Sequence, residues 1–337
     1  MGRRSEARWP RVGPVLALMV LAPVCVDMVL GATTVSTPFA LVPEVLTYGV
    51  AAVLIREVAR AGGRGPATVV ILGAAFAVVS ECLVVQTSLA PGAGADAGRA
   101  LGVNWPYLVW AVGYEAVWAI LLPIRLGEAL FPGRAREPWL SRRARVGFGV
   151  LFALGCLVAW YQWTRVVRPR FLGLPVYEPP WPLLLMATLV AAGLVLLAVA
   201  VPAAGARWSD PAVRAPRPWL VGTVAVLATA AWFGLTVAAP PVLPPAVGSM
   251  AAVVVAVAVA IAVARWSRAP GWSGAQCLAL IAGALLGSSG AGFVVVPLRS
   301  TTDLVGKIVI DVVVLGVVLW TASRRRRSPH PAGTPGH

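Results

Sequence analysis

Ten apolar stretches, each at least about 17 residues long and cut from the next by Pro, Gly or Arg, dominate the sequence and leave little room for a soluble domain. They run at 12–30, 39–55, 67–89, 105–124, 146–163, 183–201, 219–237, 247–264, 275–298 and 304–322. A hydrocarbon core of about 30 Å takes about 20 helical residues to cross. Inside it the backbone amides must bond within their own segment, which only a helix or a closed barrel achieves. Runs of this length therefore predict an all-α polytopic transmembrane helical bundle of about ten spans. Composition agrees, with 59% hydrophobic and 12% charged residues where soluble domains carry about 25% charge.

Arg3, Arg4, Arg8 and Arg11 precede the first run, the layout of a signal peptide or a signal anchor. The length of the run and the lack of a clear A-x-A site favour an anchor. With ten spans and a cytoplasmic N-terminus, all but six of the 28 basic residues fall on the cytoplasmic side; the six are Arg99, Arg165, Arg168, Arg170, Arg299 and Lys307. That bias sets the expected orientation, with both the N-terminus and the C-terminus cytoplasmic. The net charge of +15 then marks topology rather than a nucleic-acid partner. The expected partners are the lipid bilayer and, at the cytoplasmic Arg clusters, anionic lipid head groups; no protein partner can be named. Most Trp residues, Trp105, Trp139, Trp181 and Trp266 among them, stand near proposed span ends, as an interfacial belt would place them.

The chain divides into a basic arm (1–11), a four-span unit carrying the membrane carboxylates (12–145), a six-span unit (146–323) and a basic, Pro-rich cytoplasmic tail expected to be disordered (324–337). The bacterial cytoplasmic membrane is the expected location.

Residue types exclude several chemistries. His330 and His337 lie in the tail, so the spans hold no imidazole base or ligand, no Ser-His or Cys-His nucleophile and no H-E-x-x-H zinc site. Cys25, Cys82, Cys156 and Cys277 stand singly in four different spans without C-x-x-C spacing and read as small buried apolar residues. Lys307 is the sole lysine, so no Walker A loop exists and the chain does not hydrolyse ATP through one. No cofactor and no metal are expected, and no catalytic residue can be named. Gly92, Gly94 and Gly98 read as loop glycines, and Gly283 and Gly287, in G-A-L-L-G, as a close helix-packing face, with a broken helix lining a site as the alternative.

Charges in hydrocarbon cost several kcal/mol, which makes intramembrane carboxylates the informative groups. Asp27, Glu81, Glu115 and Asp311 lie inside spans, with Glu44 near the outer end of the second. At about 1.5 Å per residue, all four spanning carboxylates fall in the outer half or near the midplane. Asp311 follows Lys307 by four residues and is expected to pair with it along one helix face. Asp27 lies near the interface, where solvent or Arg99 can meet it. Glu81 and Glu115 have no cation within a helical turn in sequence. They are the core of a candidate outer-facing polar site with Asp27, Tyr48 and Asn104, and with Ser80, Gln86 and Ser88 nearby.

Several short motifs run from Tyr48 to Leu140: Tyr48-Gly49, Ile55-Arg56-Glu57, Glu81-Cys82-Leu83 with Ser88 and Pro91, Gly102-Val103-Asn104-Trp105, Tyr114-Glu115-Ala116, Glu128-Ala129-Leu130-Phe131-Pro132 and Pro138-Trp139-Leu140. With them the chain resembles an uncharacterised family of bacterial multi-pass membrane proteins. The resemblance implies a Glu-Glu pair where this chain has Ser80-Glu81 and a His where it has Glu115. Paired glutamates and a later histidine are also the broad plan of CAAX-protease-like intramembrane metalloenzymes. Here Ser80 and Val85 stand where a glutamate and the arginine of E-E-x-x-x-R would be. A relative with these departures has lost the metal or holds one through carboxylates alone, which suits magnesium or calcium.

The expected function is proton-coupled handling of a small solute or a lipid-derived group at the outer-facing carboxylates. The alternatives are a CAAX-protease-like enzyme or its inactive relative, and a structural membrane subunit. The residue inventory leans away from an enzyme.

Overall fold

The computed structural model describes residues 12–92, 97–203, 210–238, 242–298 and 300–327. The N-terminal arm with Trp9, the tail from 328, Gly94 and Arg299 lie outside the described residues.

Ten apolar helices follow one another in the order of the ten runs: α1 (Gly13–Met28), α2 (Pro38–Ala61), α3 (Pro66–Val84), α4 (Trp105–Leu130), α5 (Arg142–Phe171), α6 (Trp181–Ala200), α7 (Pro218–Ala238), α8 (Pro245–Trp266), α9 (Gly274–Val295) and α10 (Thr301–Arg327). Among the described residues, nine are long and apolar enough to cross a membrane. The exception is α1, which has 11 α-helical residues and one five-residue π-helical turn. At about 1.5 Å per residue it spans about 24 Å, short of a hydrocarbon core of about 30 Å. The chain is a multi-pass helical membrane protein.

Helix starts follow local chemistry. Pro stands in the first turn of α3, α4, α6, α7 and α8, where its missing N–H is no loss. The Ser273 side chain caps α9 in a reciprocal box with Gln276. Trp105 and Trp181 open α4 and α6, and Trp266 closes α8, as a belt requires. Trp139 does not belong to that belt: it is buried under the Arg56 guanidinium, 3.4 Å from the ring centroid. The last helix continues through Arg327, so 324–327 are helix rather than the start of a disordered tail.

Successive helices alternate in direction. Leu18 of α1 lies beside Gly127 of α4, and the Arg325 guanidinium reaches the Ala129 carbonyl, so the start of α1 and the finish of α10 share one end of the bundle. We call this the terminal end and the other the distal end.

The hub is α4, which touches α1, α2, α3, α7, α8, α9 and α10. Its fully buried Ile120, Leu122, Ile124 and Leu126 fill the terminal half of the core. The outer helices α5, α6, α8 and α10 instead expose Leu157, Leu196, Val254 and Val312, the surface that acyl chains solvate. The most extensive helix-on-helix packing joins α7 to α9. There a Cβ on Gly287 would sit 2.6 Å from the Thr229 Cβ, and one on Gly283 would strike the Gly222 carbonyl. The glycines of G-A-L-L-G thus form a packing face on an unbroken helix. A short antiparallel hairpin between α3 and α4, Arg99–Ala100 with Val103–Asn104, is invisible to a search for apolar runs.

Candidate functional site

Asp27, Tyr48, Glu81 and Glu115 sit on four different helices, each within a π-helical turn. The hydrogen bonds run from residue i to i−5, as in Val29 N–H to the Val24 carbonyl (3.0 Å) and Val85 N–H to the Ser80 carbonyl (2.8 Å). Such turns insert one residue and re-aim the side chains they carry, and they concentrate at functional positions.

Close backbone approach brings the four helices together. A Cβ on Gly73 of α3 would lie 2.9 Å from the Ala116 Cα of α4, and one on Gly49 of α2 would collide with the Met19 carbonyl of α1. Ser80 lies two turns from Gly73 on the same face of α3. Its hydroxyl donates to Glu115 Oε1 at 3.3 Å, and the Tyr48 hydroxyl donates to the same oxygen at 3.4 Å. The Glu81 carboxyl faces that of Glu115, and Tyr107 lies beside Glu81. Both are buried, Glu81 6% and Glu115 3% exposed. Glu81 Oε2 and Glu115 Oε2 have no partner among the described residues.

Asp27, half-buried at the distal end of α1, lies within Coulomb range of Glu44, Glu81 and Glu115. Glu44, one turn before Tyr48 on α2, accepts a hydrogen bond from the Thr33 hydroxyl. No ion pair among the described residues reaches any of these four carboxyls. Beside Glu115, the rings of Tyr107, Trp110, Tyr114 and Trp118 follow one another along α4 at centroid spacings of 5.3, 5.4 and 5.0 Å, the first pair tilted and the other two stacked. Tyr114 donates to the Val26 carbonyl, tying this face to α1.

The remaining polar candidates build scaffold. Asn104 caps α4 by accepting from Tyr107 N–H at 3.2 Å, which fixes the start of the helix that carries Tyr107 and Glu115. Gln86 turns the chain out of α3 at φ 59°, and the Ser88 carbonyl accepts from Asn104 N–H at 2.8 Å. Arg99 donates to the carbonyls of Leu89, Ala90 and Gly102. Lys307 and Asp311 pair as expected at 3.0 Å. Lys307 also donates to the Val29 carbonyl at 2.6 Å, and Ser289 to Asp311 at 2.7 Å, joining α10 to α1 and α9. Arg168 donates to the Pro91 and Pro175 carbonyls, and Arg165 pairs with Glu178 at 2.9 Å.

Glu44 and Tyr107 escaped the sequence-level site although a signal was present. Glu44 precedes Tyr48 by four residues and Tyr107 precedes Glu115 by eight, which are same-face spacings on a helix. The Glu81–Glu115 pair is buried, while Asp27, Glu44, Tyr48 and Tyr107 around it are half-buried. A cleft of about 470 Å³ lined by Pro211, Arg214, Arg217, Pro270 and Gln276 belongs to the terminal end and does not reach the pair. Among the described residues no three His, Cys, Asp or Glu side chains converge closely enough to hold a metal ion, so the donor set does not fit the metal that a protease-like plan implies.

The motifs of the 48–140 region gather into two clusters. Tyr48, Glu81 and Glu115 build the carboxylate pair; Arg56, Glu57, Glu128 and Trp139 build a second, ionic cluster at the terminal end. Arg56, 0% exposed, bonds Glu57 at 3.1 Å and approaches Glu128 at 3.4 Å. It also donates to the carbonyls of Arg134, Ala135 and Glu137, each at 3.1 Å. Glu57 accepts from the backbone of Trp139 and Leu140 at 2.7 and 3.0 Å, and Arg60 and Arg125 pair with Glu128. This network clamps the α4–α5 connection.

Fold and site together define a multi-pass α-helical membrane protein with a buried pair of carboxyl groups between α3 and α4. No known family profile, curated protein or solved structure matches the chain.

Proposed function

We propose that this protein lies in the bacterial cytoplasmic membrane with both termini inside, and binds and releases a proton at the Glu81–Glu115 pair as it handles a small solute or lipid-derived group. One observation carries the reading: two buried carboxyls from different helices face one another inside an apolar bundle, and no ion pair among the described residues reaches either. Two negative charges at that separation in low dielectric repel strongly, so such a pair holds a proton between its oxygens. Moving that proton changes the charge of the hub helix α4 and of α3 together, the kind of event that shifts helices past one another. The basic clusters at the terminal end, Arg214 and Arg217 among them, face anionic lipid head groups in this orientation.

The test is pH-difference infrared spectroscopy of the protein in lipid, which detects the carbonyl stretch of protonated carboxyl groups. The parent chain should show a titrating carboxyl band that Glu81→Gln and Glu115→Gln each remove or displace. Proteoliposomes of the same variants should lose proton flux. A parent chain without a titrating band refutes the reading and leaves a structural subunit.

A further inference from the structure

We infer that the Glu81–Glu115 pair exchanges its proton with the distal side only, through Glu44 and Tyr48. The inference rests on the proton-binding reading above and adds to it a route and a side.

Glu44 and Tyr48 stand one turn apart on the same face of α2, and the Tyr48 hydroxyl already donates to Glu115 Oε1 at 3.4 Å. Glu44 lies at the distal rim, half-buried, with Oε2 unpartnered among the described residues and its other oxygen held by the Thr33 hydroxyl. The groups around this line are few. Asp27 faces both glutamates from α1. Glu81 faces Glu115 from α3, with Tyr107 beside it. Tyr114 is turned to the Val26 carbonyl. Lys307 is committed to Asp311 and the Val29 carbonyl.

Toward the terminal end nothing among the described residues continues the line. Trp118, Ile120, Leu122, Ile124 and Leu126 of α4 are buried, and Leu18, Ala52 and Val53 pack with them. The next carboxyl along α4 is Glu128, thirteen residues or about 20 Å further, and Arg60 and Arg125 already pair with it.

The step balances as one proton moved. Hydronium at the distal rim protonates the Glu44 carboxylate and leaves as water; as the Tyr48 O–H bond releases its proton to Glu115, the phenol oxygen takes the proton from Glu44. Glu44 ends as carboxylate, Tyr48 unchanged and Glu115 as carboxylic acid.

A pH jump with time-resolved infrared detection tests the route. Glu44→Gln should slow protonation of the pair by about a hundredfold, the lower end of what a positioned proton carrier supplies, while the band at equilibrium keeps its amplitude. Tyr48→Phe, which keeps the ring and removes only the hydroxyl, should slow it as well and serves if Glu44→Gln fails to insert. In liposomes with orientation set by a protease-accessible C-terminal tag, only a jump on the side away from the tag should elicit the fast phase. Parental rates in both variants, or a fast response from the tagged side, overturn the route while leaving the proton-binding pair intact. No titrating band in the parent chain overturns both.

Discussion

Arg56→Met removes a guanidinium with no solvent exposure and keeps a flexible apolar stem of similar reach. The lost contacts are the 3.1 Å bond to Glu57, three carbonyl bonds at 3.1 Å and the stacking on Trp139. Hydrogen bonds to a charged group contribute about 1.5–3 kcal/mol each, and a desolvated cation over an aromatic face adds about 2 kcal/mol. Their sum overshoots, because desolvating the charges costs several kcal/mol in return. Removing one partner of a buried pair costs about 3–5 kcal/mol, and that is the expected loss here. Glu128 keeps Arg60 and Arg125, so the damage falls on Glu57 and on the segment from Arg134 to Leu140. Reversible unfolding in mixed micelles measures the total. Limited proteolysis of the α4–α5 connection, with Trp139 fluorescence, localises it. The double variant Arg56→Met with Glu57→Gln should lose less than the two single losses added. A cost below about 1 kcal/mol, within the range of an exposed ion pair, would refute the account of the clamp.

Three further outcomes follow from the packing. Gly73→Val should force α3 from α4, costing about 1–3 kcal/mol by overpacking and removing the carboxyl band of the Glu81–Glu115 pair, whereas a value below that range with the band unchanged would show that the helices can separate freely. Tyr114→Phe deletes the bond to the Val26 carbonyl and should cost about 0.5–1.5 kcal/mol, read from the same unfolding transition, with parental stability as the contrary result. Cysteines placed at Leu196 and Val254, 71% and 68% exposed, should react with a lipid-soluble maleimide and resist a membrane-impermeant one; equal labelling by both would place α6 and α8 against water.

The architecture was legible because what makes a membrane helix is local. An apolar run of sufficient length cannot leave its amides unbonded in hydrocarbon, so each of the ten runs became a helix. Gly283 and Gly287, and the Lys307–Asp311 pair, were equally readable from spacing within one segment. Even α1, too short to span unaided, lies where its run predicted.

What required the tertiary structure was how the helices are rotated about their axes and how closely they approach. Glu81 and Glu115 are 34 positions apart, and nothing local says that their carboxyls come to face one another. That juxtaposition depends on Gly73 admitting the Ala116 backbone and on π-helical turns that carry no sequence signature. Arg56, Glu128 and Trp139 show the same division, since each is an ordinary end-of-span residue until the fold buries all three in one cluster. Secondary structure answers to the solvent around a single segment; a site answers to side chains from several segments meeting in space, and only packing sets that meeting.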